Sequence, residues 1–182
     1  SETSTLHTHY LCGNGQACSH VGGHNETDKT TFAAAIRQDD NGKVWVGGEP
    51  EELPYQCALS KGTYYLDSDL VLKGPSALNK VGCIYIDSDV TLCLNGHTIT
   101  IIDDRDAFDI RKSMESNPPT LTLTDCKNSG QITHDSSFLG NGVSLHQSCN
   151  FIMYGGSITG NHNSDGGGVR VEATGSFTMY GG

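Results

Sequence analysis

The densest group of side chains that could do chemistry lies in "LHTHYLCGNGQACSHVGGH" (residues 6–24). His7, His9, Cys12, Cys18, His20 and His24 fall there, half of the chain's eight histidines and two of its seven cysteines. Imidazole and thiolate are the ligands zinc prefers, and four of them suffice for a closed tetrahedral site. The intervening glycines would let a short loop fold back around an ion. Bound metal would then order a segment that has almost no core of its own. The spacing matches no standard zinc finger, and two other readings stand beside it. Cys12 and Cys18 could close a small disulfide loop, or the histidines could simply be solvated. The odd cysteine count leaves at least one thiol without an intrachain partner.

Two "DSD" triplets offer carboxylates, Asp67 with Asp69 and Asp87 with Asp89. Residues two apart on a strand point the same way, so each pair presents two carboxylates on one face. Stacked copies would bring four together, enough for calcium, a hard ion that takes oxygen ligands, or for acid and base work. The alternative is that they occupy solvent-facing turns. Tyr154 and Tyr180 form a further candidate pair, because rings presenting flat apolar faces can make a platform for sugars. A pectin-cleaving centre would gather several Asp with His, Arg and Lys. Asp103, Asp104, His97, Arg111 and Lys112 match that set only piecemeal, since His97 lacks a glycine after it and no Arg-x-Lys follows. No catalytic residue is assigned.

The elements that must position these groups are legible as repeats. A shift of 26 residues lays Val143, Leu145, Phe151, Met153 and Tyr154 on Val169, Val171, Phe177, Met179 and Tyr180. Apolar and polar residues alternate between the matches, as in a strand with one buried face. "YYLDSDLVL" (residues 64–72) returns as "IYIDSDVTL" (residues 84–92), a spacing of 20. "VTLCLNGHTIT" (residues 90–100), "LTLTDCKNSGQIT" (residues 121–133) and "FIMYGGSIT" (residues 151–159) share a strand, a polar or glycine-rich corner and a short "x-Ile-Thr" strand. Under that alignment Cys93 and Thr124 share the column of Tyr154 and Tyr180, and the two tyrosines should stack. A unit of this size is too small for a propeller blade of roughly 40 residues. It fits a parallel β-helix, in which no coil can bury its apolar face alone and neighbours supply the core. "SFTMYGG" at the end is no polar cap and leaves a coil edge unpaired, so the chain is expected to be a segment of a longer protein.

Residues 1–61 lack the repeat. "TTFAAAIRQ" (residues 30–38) can make two turns of helix with Thr30 or Thr31 as N-cap, and Trp45 would pack near it. Such a helix would close one end of the core. Cys57, Cys83, Cys126 and Cys149 read as small buried or corner residues with inert thiols. The net charge of −10 argues against nucleic acid or an anionic membrane as partner, since both require a basic footprint. No apolar run approaches the length of a membrane span.

In order along the chain, "HTHYLCGNG…CSH…GH", "GTYYLDSDLVL", "VTLCLNGHTIT", "LTLTDCKNSGQITH" and glycine-rich "FTMYGG" rungs resemble the large secreted or cell-surface β-helix proteins of Gram-positive gut bacteria. The resemblance runs from about His7 to Gly182. It implies an extracellular setting, a right-handed coil and no established activity, and it transfers no catalytic residues. The expectation is an all-β fold, with a His/Cys-rich leader over 1–29, a cap segment over 30–61 and a right-handed parallel β-helix over 62–182. The expected function is a non-enzymatic surface module, a rigid spacer or adhesin-like segment meeting a host or dietary glycan or a surface protein. The alternative is a glycan-cleaving β-helix enzyme.

Overall fold

The computed structural model describes residues 30–31, 61–66, 68–73, 82–112 and 117–182. The leader with His7, His9, Cys12, Cys18, His20 and His24 lies outside the described residues, as do Trp45, Cys57, Asp67 and residues 32–38 of the expected helix. The described part is all β, with no helix. Its strands are β1 (Thr30–Thr31), β2 (Gly62–Tyr65), β3 (Leu70–Leu72), β4 (Ile84–Ile86), β5 (Val90–Cys93), β6 (Thr98–Ile101) and β7 (Phe108–Ile110). They continue as β8 (Thr120–Thr124), β9 (Gln131–His134), β10 (Val143–Leu145), β11 (Asn150–Met153), β12 (Ser157–Ile158), β13 (Val169–Val171) and β14 (Ser176–Met179).

Every third strand from β2 onward falls in the same sheet. The sheets run β1-β2-β5-β8-β11-β14, β4-β7-β10-β13 and β3-β6-β9-β12, and all named pairings are parallel. This is a β-solenoid of four coils, with β14 opening the next. Thr30 and Thr31 are a strand against Tyr64 and Tyr65, so the chain is extended where the helix was expected to begin.

Strand alternation produces the core. Leu92, Leu123 and Met153 stack in one inward column, and Phe108 and Val143 in another. Leu92, Leu123, Phe108 and Val143 are wholly buried, and Met153 nearly so. Burying each such side chain contributes about 1.5–3 kcal/mol relative to exposure, and each coil draws part of that contact from its neighbours. Parallel strands normally need a long crossover; here the rest of the coil serves as the crossover.

Coils advance unevenly. Gly62 pairs with Val90, Val90 with Leu121, Leu121 with Phe151 and Phe151 with Phe177, steps of 28, 31, 30 and 26 residues. The 26-residue repeat is therefore a true coil. The 20-residue one is not: "YYLDSDLVL" spans β2 to β3, whereas "IYIDSDVTL" spans β4 to β5. The similarity lies between two different corners of the coil.

Corners between β5 and β6 and between β11 and β12 turn through left-handed residues, Asn95 and Gly96 in one and Gly156 in the other. Glycine and asparagine are the residues that adopt this conformation at least cost. A side chain at Gly156 would also come within 2.7 Å of Leu94 Cδ1. No helix among the described residues is long and apolar enough to cross a membrane.

Candidate functional site

The acidic corners act as fasteners between coils. Asp69 Oδ1 accepts the Thr98 N–H at 2.9 Å and faces His97 Nδ1 at 3.2 Å. Asp89 Oδ1 accepts the Thr120 N–H at 3.0 Å. Asp125 accepts from Gly96 N–H at 2.7 Å and Gly130 N–H at 2.6 Å, tying a corner of one coil to that of the next. Backbone donors that leave the strand ladder at a corner need acceptors, and a carboxylate makes the stronger, charge-assisted bond.

Asp69 does not stack on Asp87 and Asp89. Asp69 sits between β2 and β3, whereas Asp87 and Asp89 sit between β4 and β5, at a different corner. Asp69 is thus not brought onto Asp87 and Asp89, because the 20-residue spacing is not the coil period. Among the described residues, no group of three or more His, Cys, Asp or Glu side chains is arranged to hold a metal ion. The pectinase-like set is dispersed as well: His97 lies on Asp69, Asp103 pairs with Arg105 at 3.4 Å, Asp104 accepts the Leu139 N–H at 2.8 Å, and Arg111 pairs with Asp109.

Tyr154 and Tyr180 do stack, with ring centroids 5.0 Å apart and planes 12° from parallel. Each follows a strand of the six-stranded sheet: Tyr154 N–H donates to Leu123 O, and Tyr180 N–H to Met153 O. Cys93 and Thr124 pair in the same column, as the alignment requires. Tyr180 is 63% exposed. Beside the ladder lies an open groove of about 410 Å³, lined by Asn128, Ser129, Gln131, Tyr154 and Ser157 and by glycine backbone. No charged side chain lines it. Amides, hydroxyls and an aromatic edge, with glycines keeping the floor low, are groups that recognise a neutral polyhydroxylated ligand.

A second cluster escaped the reading from sequence. Tyr85, Asp109, Ser144 and Arg170 form one outward column of the β4-β7-β10-β13 sheet. Arg111, His146 and Glu172 follow the ends of β7, β10 and β13 in the next column. Arg111 Nε donates to Asp109 Oδ1 at 2.7 Å. His146 Nδ1 lies 2.9 Å from Glu172 Oε2, and Arg170 lies 3.4 Å from Glu172 Oε1. His146 Nε2 is 3.1 Å from Asp109 Oδ1, an ion-pair contact without good hydrogen-bond alignment. Ser144 Oγ is buried beside them without a hydrogen-bond partner.

Burial alone would push the Asp109 carboxyl up, but His146 and Arg111 outweigh it and hold the group below its ordinary range. The contact with Asp109 raises the His146 ring, against the opposing effect of burial. One signal for this cluster was present: "FDIR", "VSLH" and "VRVE" each end an alternating strand on an ionisable residue. The 26-residue shift already placed His146 on Glu172. Compared with known proteins, the chain matches no family model, no curated protein and no solved structure.

Proposed function

We propose that this chain is a non-enzymatic extracellular surface module, a rigid right-handed β-solenoid that presents the Tyr154–Tyr180 corner to a neutral glycan. The observation that carries the reading is the stacked tyrosine pair, of which Tyr154 lines a groove of amides, hydroxyls and glycine backbone that no charged side chain enters. The closely stacked coils suit a spacer, since each is fastened to the next by carboxylate-to-backbone bonds. A zinc site in the leader, formed from four of His7, His9, Cys12, Cys18, His20 and His24, belongs to the same proposal and rests on the sequence alone. Elemental analysis of the purified chain tests it: about one zinc per chain is expected, lowered by His20→Ala.

The glycan-cleaving alternative calls for a carboxyl held protonated in a groove. Of the two buried carboxyls among the described residues, Asp109 is instead held ionised and lies on a different sheet from the groove, and Asp125 is engaged by the Gly96 and Gly130 N–H groups.

The test is titration with neutral oligosaccharides of several linkages, followed by amide chemical shifts. Shifts should gather at Ser129, Gln131 and Ser157. Tyr180→Ala, which removes an aromatic face worth about 1 kcal/mol, should weaken binding roughly fivefold. Binding that Tyr154→Ala and Tyr180→Ala both leave intact, in folded protein, would sink the site.

A further inference from the structure

The groove beside Tyr154 is closed at one end by a corner of the preceding coil. Successive corners between the six-stranded sheet and the β3-β6-β9-β12 sheet differ in length. Residues 94–97 make one, 125–130 the next and 154–156 the one after, hence four, six and three residues. The longest projects, with Lys127, Asn128 and Ser129 exposed while its ends, Asp125 and Gly130, are buried. Gly155 and Gly156 pack against those ends. A methyl on Gly155 would stand 3.3 Å from Asp125 N, and one on Gly156 would stand 3.6 Å from Gly130 O. The groove is therefore a step, walled by a long corner in one coil and floored by a short one in the next.

On its far side the long corner rests on the coil before it. Ser129 Oγ lies 3.4 Å from Gly96 O, and a methyl at Gly96 would meet Ser129 Oγ at 2.9 Å and Lys127 Cβ at 3.1 Å. None of residues 94–97 lines the groove, so it ends at this corner. Asp125 fixes the corner from within. Its Oδ1 accepts from Gly96 N–H at 2.7 Å and Lys127 N–H at 3.3 Å, and its Oδ2 from Gly130 N–H at 2.6 Å. At the tip, Asn128 takes a left-handed backbone with φ 57°, a strained state of the kind that gathers at binding sites. Asn128, Gln131 and Ser157 line the groove, and among the described residues none of their side chains is engaged in a hydrogen bond. Two amides and a hydroxyl, each able to donate and accept, are thus left for a ligand.

On the footing that the Tyr154–Tyr180 corner binds a neutral glycan, we infer that the groove receives the terminal sugar of the chain and not an internal stretch. An internal sugar is substituted on two sides and needs a cleft open at both ends. Here the 125–130 corner occupies the space that the next sugar would take. The hydroxyl that would carry that sugar stays free in a terminal unit, and the Asn128 amide at the closed end is the group that bonds it. The glycan leaves past Tyr154 toward the exposed Tyr180. A volume of about 410 Å³ sits near the low end of the roughly 300–1,000 Å³ of small-ligand sites, which suits a chain end. Because Asp125 already holds the corner in shape, little freedom is lost on binding.

The test uses the full chain and linear gluco-, manno- and xylo-oligosaccharides, each as trisaccharide and dodecasaccharide, in titration calorimetry. In any series that binds, the trisaccharide should bind as tightly as the dodecasaccharide, with one protein per chain at both lengths. Asn128→Gly, which keeps the left-handed backbone at no steric cost, should weaken both about fivefold, as the loss of one hydrogen bond does. Several proteins on each dodecasaccharide, with binding still weakened by Tyr180→Ala, would overturn the chain-end inference while the glycan site stood. Binding untouched by Asn128→Gly would overturn it as well. No binding of any series, or binding that Tyr154→Ala and Tyr180→Ala both leave intact, would instead remove the glycan site, and the chain-end inference with it.

Discussion

His146 bridges two coils: its Nδ1 lies 2.9 Å from Glu172 in the coil that follows, and its Nε2 lies 3.1 Å from Asp109 in the coil that precedes. One imidazole therefore connects three successive turns of the solenoid. Its protonation should be visible in the stability of the whole stack.

The folded His146 ring titrates above its ordinary value of 6.5. Its contribution is therefore complete below about pH 6.5 and is lost as pH rises through the folded value. Asp109 is shifted the other way, so its contribution is present above its ordinary 3.8 and is lost as acid reaches the lower folded value. The pair is best satisfied in the mildly acidic window between. Melting temperature measured from pH 5 to pH 9 should fall on the alkaline side, and His146→Gln should flatten that fall. Equal slopes in the two proteins would show that His146 is not the titrating group.

Asp109→Ala should be costly. It strands Arg111 and His146 without their shared carboxylate and removes the acceptor of the Gly82 N–H. Breaking a buried pair by deleting one partner typically costs about 3–5 kcal/mol, and Arg111 and His146 retain partial contact with water. A loss of roughly 2–4 kcal/mol in denaturant unfolding is expected. A change below about 0.5 kcal/mol, the level of an ordinary surface substitution, would reduce the cluster to decoration.

Gly140→Ala should destabilise far more than Gly168→Ala. A methyl at Gly140 would run into the Arg105 carbonyl and His134 Nε2, which itself is 2.7 Å from Arg105 O. A methyl at Gly168 meets nothing closer than 3.9 Å. Overpacking against backbone costs about 1–3 kcal/mol or more, so the two variants should differ by at least that in denaturant midpoint. Equal stabilities would contradict the packing of the β9–β10 connection.

Met153→Asp places a carboxylate between Leu123 and Met179 in an inward column. An unpaired buried charge is not tolerated, so the coil containing β11 to β13 should unfold. Circular dichroism and a melting curve unchanged by the substitution would reverse the inward assignment of Met153.

The inward and outward sense of each strand was legible because it depends only on alternation, a property of consecutive residues. The stacking of Tyr154 on Tyr180 was legible for the same reason: the segment between them has the length of one coil, so an unbroken 26-residue repeat maps sequence onto space. Asp69 and Asp89 sit in exposed corners, one of the two readings that the sequence left open, because similar segments serve different corners of the coil. Nothing within either triplet states which corner it occupies.

What the sequence determined by itself is therefore the strand faces, the solenoid class and the columns that fall within regular repeats. The tertiary structure decided which outward side chains meet. Asp109 and His146 lie in coils separated by the 111–119 and 135–142 connections, whose lengths the buried columns do not constrain. Loop closure cost grows only slowly with length, so insertions there are tolerated and erase the period. The charged cluster on the β4-β7-β10-β13 sheet depends on register between coils. That register is set by backbone pairing and core stacking across the whole solenoid, not by any local stretch of chain.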